Sequence, residues 1–282
     1  MASPAAVGGG LLGAGAIGVG SAYLAGAFEG SGSLEAEVEP VNVLLSSEAN
    51  FSSSYATSGW IGKEYGHYLV SPIGSQTKED ATIDNKKWWE WSYKRWQKDF
   101  KSKKGSLSDE FKDDKKINSS FSETAPSEGT SPKALNKVCE AVYQGTKDSI
   151  TPEENFSGNK TKLKNDLFKY CSILGEVKTI GEASTKTYGA TEKGGDSTKN
   201  KGFIAVTGND KFWEIRNKEF YEGLDSDKKS RSKAAGQSSK FKTDSEGNSK
   251  QNIRDICGAA YKSQTSEDES YPISEINIFC VL

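Results

Sequence analysis

Histidine is almost absent from this chain: His67 is the only one in 282 residues. That excludes dyads and metal sites built on pairs of imidazoles. A lone His among aromatics, in KEYGHYLVS, reads as a packed or surface residue. Cysteine is sparse and late. None precedes Cys139, which argues against a lipidated amino-terminal cysteine, and no C-x2-C pair offers a zinc site. No G-x-S-x-G elbow occurs, and no pair of carboxylates is placed by a motif. GATEKGGD, at 189–196, is superficially like a phosphate loop but lacks its lysine and a preceding strand, so it reads as a flexible loop. No cofactor is implied. Strong charge of one sign is missing too: 37 basic and 39 acidic residues leave a net charge of -2, which gives no reason to expect a nucleic-acid partner. Hydrophobic residues are only 34%, so the core must be lean, and 6 Trp, 11 Tyr and 12 Phe must carry much of it.

Against this hydrophilic background one stretch stands out. Residues 4–28 carry no charged side chain, and no Lys or Arg occurs before Lys63. As a helix the run would be roughly 37 Å long, and a bilayer core needs about 20 residues. Gly10, Ala14, Gly18, Ala22 and Gly26 fall four apart on one helix face, a spacing that lets two membrane helices approach closely. The expectation is an uncleaved single-pass anchor at 1–28 with an inside amino terminus, a polar linker at 29–40, and the body outside. Self-association through the small-residue face follows from it. Ala25-Gly26-Ala27 also matches an A-x-A cleavage pattern, so a cleaved signal and a secreted soluble binding protein remain the alternative.

The body contains an internal repeat. KWWEWSYKRWQKDF (87–100) aligns without gaps on KFWEIRNKEFYEGL (211–224), placing Trp88 on Phe212, Trp89 on Trp213, Trp96 on Phe220 and Phe100 on Leu224. ALNKVCEAVYQ (134–144) resembles NIRDICGAAYK (252–262), and LFKYCSI resembles INIFCVL, so Cys139 and Cys171 match Cys257 and Cys280. Two units are expected, 41–174 and 175–282. Trp89, Tyr93, Trp96 and Phe100 recur at helical spacing, as do Leu135, Val138, Cys139 and Val142. Trp89, Trp96, Phe100, Trp213 and Phe220 are the expected core aromatics of the repeats. Ser131-Pro132 reads as a helix start. The segments around Trp60 (GWI) and Phe203 (GFIAV) read as matching short strands. The fold class is therefore mainly α with short strands (α+β). Polar stretches at 101–131, 184–201 and 225–251 read as loops or partly disordered insertions.

Trp88 and Trp91 lie off the main stripe and interleave with Lys86, Lys87, Lys94 and Arg95. They are the candidates for exposed binding aromatics, able to stack a sugar or base or to sit at a membrane interface. For an exported body the natural disulfides are Cys139–Cys171 and Cys257–Cys280. Four cysteines allow three connectivities, buried free thiols are the alternative, and the sequence does not choose.

GGGLLGAGAIGVGSAYLAG, the Trp89 and Trp213 helices and the two cysteine pairs together resemble the paralogous uncharacterised proteins of haemotropic mycoplasmas, in a double-length version. The resemblance implies a membrane-associated, surface-displayed protein without assigned biochemical activity, varied between paralogues for antigenic diversity. The expected role is host interaction or antigenic display, with a host surface component as partner, and no catalysis. An enzyme with a cleft between the repeat units is the rival expectation.

Overall fold

The computed structural model describes residues 38–78, 81–113, 117–124, 133–183, 188–247 and 250–282; the side chains of 76–83 are not part of that description. The anchor expected at 1–28, with its small-residue face Gly10, Ala14, Gly18, Ala22 and Gly26, lies outside these residues. Among the described residues no helix is long and apolar enough to cross a membrane.

The described chain is mainly helical. In order, the helices are α1 (Phe51–Ser54), α2 (Ile61–Tyr65), α3 (Lys86–Lys103), α4 (Leu135–Tyr143), α5 (Asn159–Cys171), α6 (Asp210–Glu222), α7 (Lys240–Thr243), α8 (Ile253–Lys262) and α9 (Ile273–Phe279). Two small sheets accompany them. β1 (Ser75–Lys78) and β2 (Ala81–Asp84) form an antiparallel hairpin just before α3, while β3 (Ile117–Ser119) and β4 (Lys133–Ala134) pair in parallel just before α4.

α3 forms because its apolar residues fall on one side. Trp89, Ser92 and Trp96 occupy i, i+3 and i+7 and are buried, with Trp88 beside them. α4 and α8 bury Leu135, Val138, Cys139 and Val142, and Ile253, Ile256, Cys257 and Ala260, at the same spacing. α8 is capped by Asn252, whose side chain accepts from the Arg254 amide. α4 starts one turn after the expected Ser131-Pro132 cap. Its N-cap is Ala134, because the chain arrives from β4, and Ser131 and Pro132 lie outside the described residues.

One hydrogen-bond network occurs twice. Tyr143 Oη sits 2.8 and 2.9 Å from the carbonyls of Val70 and Cys171, and Tyr261 Oη sits 3.0 Å from those of Ile204 and Cys280. The Val70 amide donates to Cys171 (2.9 Å) and the Ile204 amide to Cys280 (3.0 Å). Trp89 Nε1 donates to Ser71 (3.1 Å) and Trp213 Nε1 to Ala205 (2.9 Å). Asn85 and Asn209, one residue before α3 and α6, each tie two backbone segments. Asn85 accepts from the Val43 amide (2.7 Å) and donates to Val43 and Ser71; Asn209 accepts from the Lys178 amide (2.8 Å) and donates to Lys178 and Ala205. Asn209 adopts φ 56°, a left-handed conformation that Asn tolerates better than most side chains.

These pairings correct the expected strand match. The counterpart of Phe203–Ile204 is Leu69–Val70, since Phe203 bridges Val281 as Leu69 bridges Ser172. Trp60 instead bridges Thr146, the place taken by Glu192 and Gln264 in the second half. The closing LFKYCSI and INIFCVL segments, open between strand and helix in the sequence, end α5 and contain most of α9.

Candidate functional site

The four cysteines sit on the apolar faces of α4 and α8 and at the ends of α5 and α9. They form Cys139–Cys171 and Cys257–Cys280, each with a Cα–Cα distance of 5.8 Å and each fully buried. Among the described residues no cysteine is free. Each bridge lies beside the tyrosine that clamps its closing segment, so covalent and hydrogen-bonded ties converge on one place in each half. Bridges of this kind persist in an oxidising compartment outside the cytosol.

Of the expected core aromatics, Trp89, Trp96, Trp213 and Phe220 are buried. Phe100 is half-buried, tilted against Trp96 at 5.0 Å with Lys104 over its ring at 4.5 Å. Its partner in the alignment, Leu224, is 49% exposed, because α6 ends at Glu222 and the stripe stops a turn early.

Trp88 corrects the expectation of an exposed aromatic. It is fully buried, edge-on to Trp89 at 4.9 Å, and its Nε1 donates to Glu39 (2.9 Å). This tryptophan off the main stripe is enclosed by the rings of Trp89 and Trp91 and by Glu39. Glu39 also pairs with Lys211 of α6. Trp91 is half-buried, with the Arg95 guanidinium 4.3 Å and the Lys211 ammonium 5.9 Å from its ring centroid.

A second polar contact joins the halves. Arg216 of α6, 1% exposed, donates to Glu219 (2.9 Å), to the Tyr68 hydroxyl (3.2 Å) and to the carbonyl of Phe279 (3.1 Å). Tyr68 in turn donates to Glu219 (2.7 Å), and burial raises its pKa. The His67 ring lies tilted against Tyr68, centroids 4.0 Å apart, and desolvation lowers its pKa. Lys229 donates to Ile278 (2.6 Å); burial pushes its pKa down to about 6, with Arg216 adding repulsion. Arg216 finds an acceptor in every direction, which makes this a satisfied ion-pair lock. A third crossing is the buried pair Lys164–Glu182, where Glu182 also accepts from Asn165 and Thr179.

GATEKGGD is a built turn with a buried lysine. Lys193 is 1% exposed and donates to the carbonyls of Glu267 and Tyr271, both at 2.5 Å. A Cβ on Gly195 would stand 1.9 Å from the Gly189 carbonyl oxygen, so only glycine fits. Parts of the polar insertions are also docked. Leu107, Phe111, Ile117 and Phe241 are buried, and the first and third of these stretches are each held by a carboxylate. The Ser108 amide donates to Asp166 (2.7 Å), while Ala235 and Ser239 donate to Glu275 (3.0 and 2.6 Å). Burial raises the Asp166 pKa to about 7. The sequence signal for these anchors was the isolated Leu and Phe residues inside SLSDEF and SSKFK.

Two depressions mark the surface. One, of about 430 Å³, is bordered by Tyr221, Asp225, Arg231, Lys242 and Glu246, with balanced charge. The other, of about 340 Å³, lies between Val43, Glu48, Asn50 and Ile73. Neither draws residues from both halves. Comparison with protein-family models, curated proteins and solved structures finds no match for this chain.

Proposed function

We propose that this protein is exported, held at a membrane by residues 4–28, and displays a two-unit body outside, where it engages a host surface component or presents a variable antigen. Its role on this reading is binding or display, not catalysis. The units are 41–174 and 175–282, and Gly10, Ala14, Gly18, Ala22 and Gly26 form the face through which anchors self-associate. One observation carries the reading: a fully buried disulfide closes the same hydrogen-bond network in each half. Such staples suit a lean body outside the reducing cytosol. The resemblance to the haemotropic mycoplasma surface families supports the same view.

Protease shaving of intact cells is the test. Loss of the body with retention of an amino-terminal stub is the expected result. Full protection of the body would overturn outward display. Mass spectrometry of the mature protein then separates anchor from secretion, since a terminus at Phe28 would replace the anchor with a cleaved signal.

A further inference from the structure

α3 and α6 are counterparts in the doubled network, and α3 is the more basic of the two. α3 contains seven basic and two acidic residues, whereas α6 contains three basic and four acidic ones. Lys87, Lys94, Lys98 and Lys101 fall at i, i+7, i+11 and i+14 on one face of α3, and all four are exposed. Glu90 is the one acidic residue on that stripe, and Asp99 is tied to Lys169 and Tyr170. In α6, Lys211 and Lys218 stand where α3 has Lys87 and Lys94, whereas Glu222 stands where α3 has Lys98. The position of Lys98 therefore folds with either sign, so packing does not require its charge.

The tether meets the body at this helix. Glu39 is fixed to Trp88 in the first turn of α3, and to Lys211. Val38 and Val41, flanking Glu39, are 74% and 56% exposed. Trp91 lies half-buried beside the lysine face. The eleven residues from 29 to 39 reach at most about 40 Å, and α3 is about 27 Å long. A body tethered there presents a basic helix, two exposed valines and a tryptophan within reach of the surface that holds it.

We infer that the lysine face of α3, with Val38 and Val41 at its start, docks the body onto anionic lipid headgroups of the membrane. The inference rests on the anchor proposed above. Lysines near an anionic leaflet attract it individually, and the attraction is screened beyond about 8 Å at physiological salt.

The test uses the full chain with neutral phosphatidylcholine vesicles and with vesicles containing phosphatidylglycerol. Flotation reports attachment, and lysine-selective amine labelling reports which helix is covered. The expected result is flotation with both vesicles. Labelling of Lys87, Lys94, Lys98 and Lys101 should slow about fivefold on the anionic vesicles alone, with Lys218 of α6 unchanged. High salt should abolish that protection, as should a variant with all four lysines changed to Gln, checked to melt like the parent. Flotation with both vesicles and equal labelling would overturn the lysine face and leave the anchor standing. Flotation with anionic vesicles only, lost in the Gln variant, would overturn the anchor and keep the face. No flotation with either would remove both. Protection by soluble heparin but not by vesicles would overturn lipid docking and assign the face to acidic polysaccharide.

Discussion

At the residue scale, Tyr143 and Tyr261 do the same work in the two halves. Each hydroxyl serves two buried carbonyls, one from the strand-like segment and one from the disulfide cysteine. Changing either to Phe leaves those carbonyls short of a donor and should cost about 1–3 kcal/mol, measured by urea unfolding. A cost near zero in one half would mean the two networks are not equivalent in energy. Asp166 makes a pH prediction. An acid whose folded pKa, about 7, lies above its unfolded value of about 3.9 binds its proton more tightly when folded. Its stabilising effect is full below about pH 4 and is lost as pH rises toward 7. Urea midpoints between pH 4 and 7 should therefore fall less steeply in Asp166→Asn than in the parent. Equal slopes would show that another group controls that window.

At the element scale, α3 separates its tryptophans by what covers them. Trp88→Ala should cost about 3–5 kcal/mol, as a fully buried aromatic does. Trp91→Ala should cost clearly less, since Trp91 is half in solvent between two cations. Thermal melts of the two variants, side by side, check this order, and a reversed order would contradict the burial of Trp88 against Glu39. The disulfides act on the same scale. Cys139–Cys171 and Cys257–Cys280 span 32 and 23 residues, so replacing either pair by Ser should cost about 3–4 kcal/mol on the loop-entropy account.

At the scale of the whole molecule, the halves are joined by Arg216–Glu219–Tyr68, by Lys164–Glu182 and by Glu39 with Lys211. Each half still closes its own network and its own disulfide. A fragment of residues 175–282 should therefore melt cooperatively, at a lower temperature than the full chain. A flat melt by circular dichroism would count against two independent units. Arg216→Ala in the full chain leaves Glu219 without its cationic partner and should cost about 3–5 kcal/mol, as breaking a buried pair does.

Sequence alone determined the elements that rest on periodicity. The stripes of α3, α4, α6 and α8 are readable because a helix that buries one face must repeat its apolar residues at 3–4 residue spacing. The doubled order of Trp helix, Cys-x3-Tyr helix and closing cysteine was legible from the internal likeness of the two halves, whereas the choice among the three cysteine pairings came from the structure. Tertiary structure alone decided the rest. Trp88 is buried where Glu39, 49 residues earlier in the chain, meets its indole. The counterpart of Phe203–Ile204 is Leu69–Val70 because carbonyls paired across the fold, and not local residue likeness, set that register. Lys193 and Asp166 sit inside because nearby backbone groups satisfy them, and a satisfied polar group carries no mark in its own sequence neighbourhood.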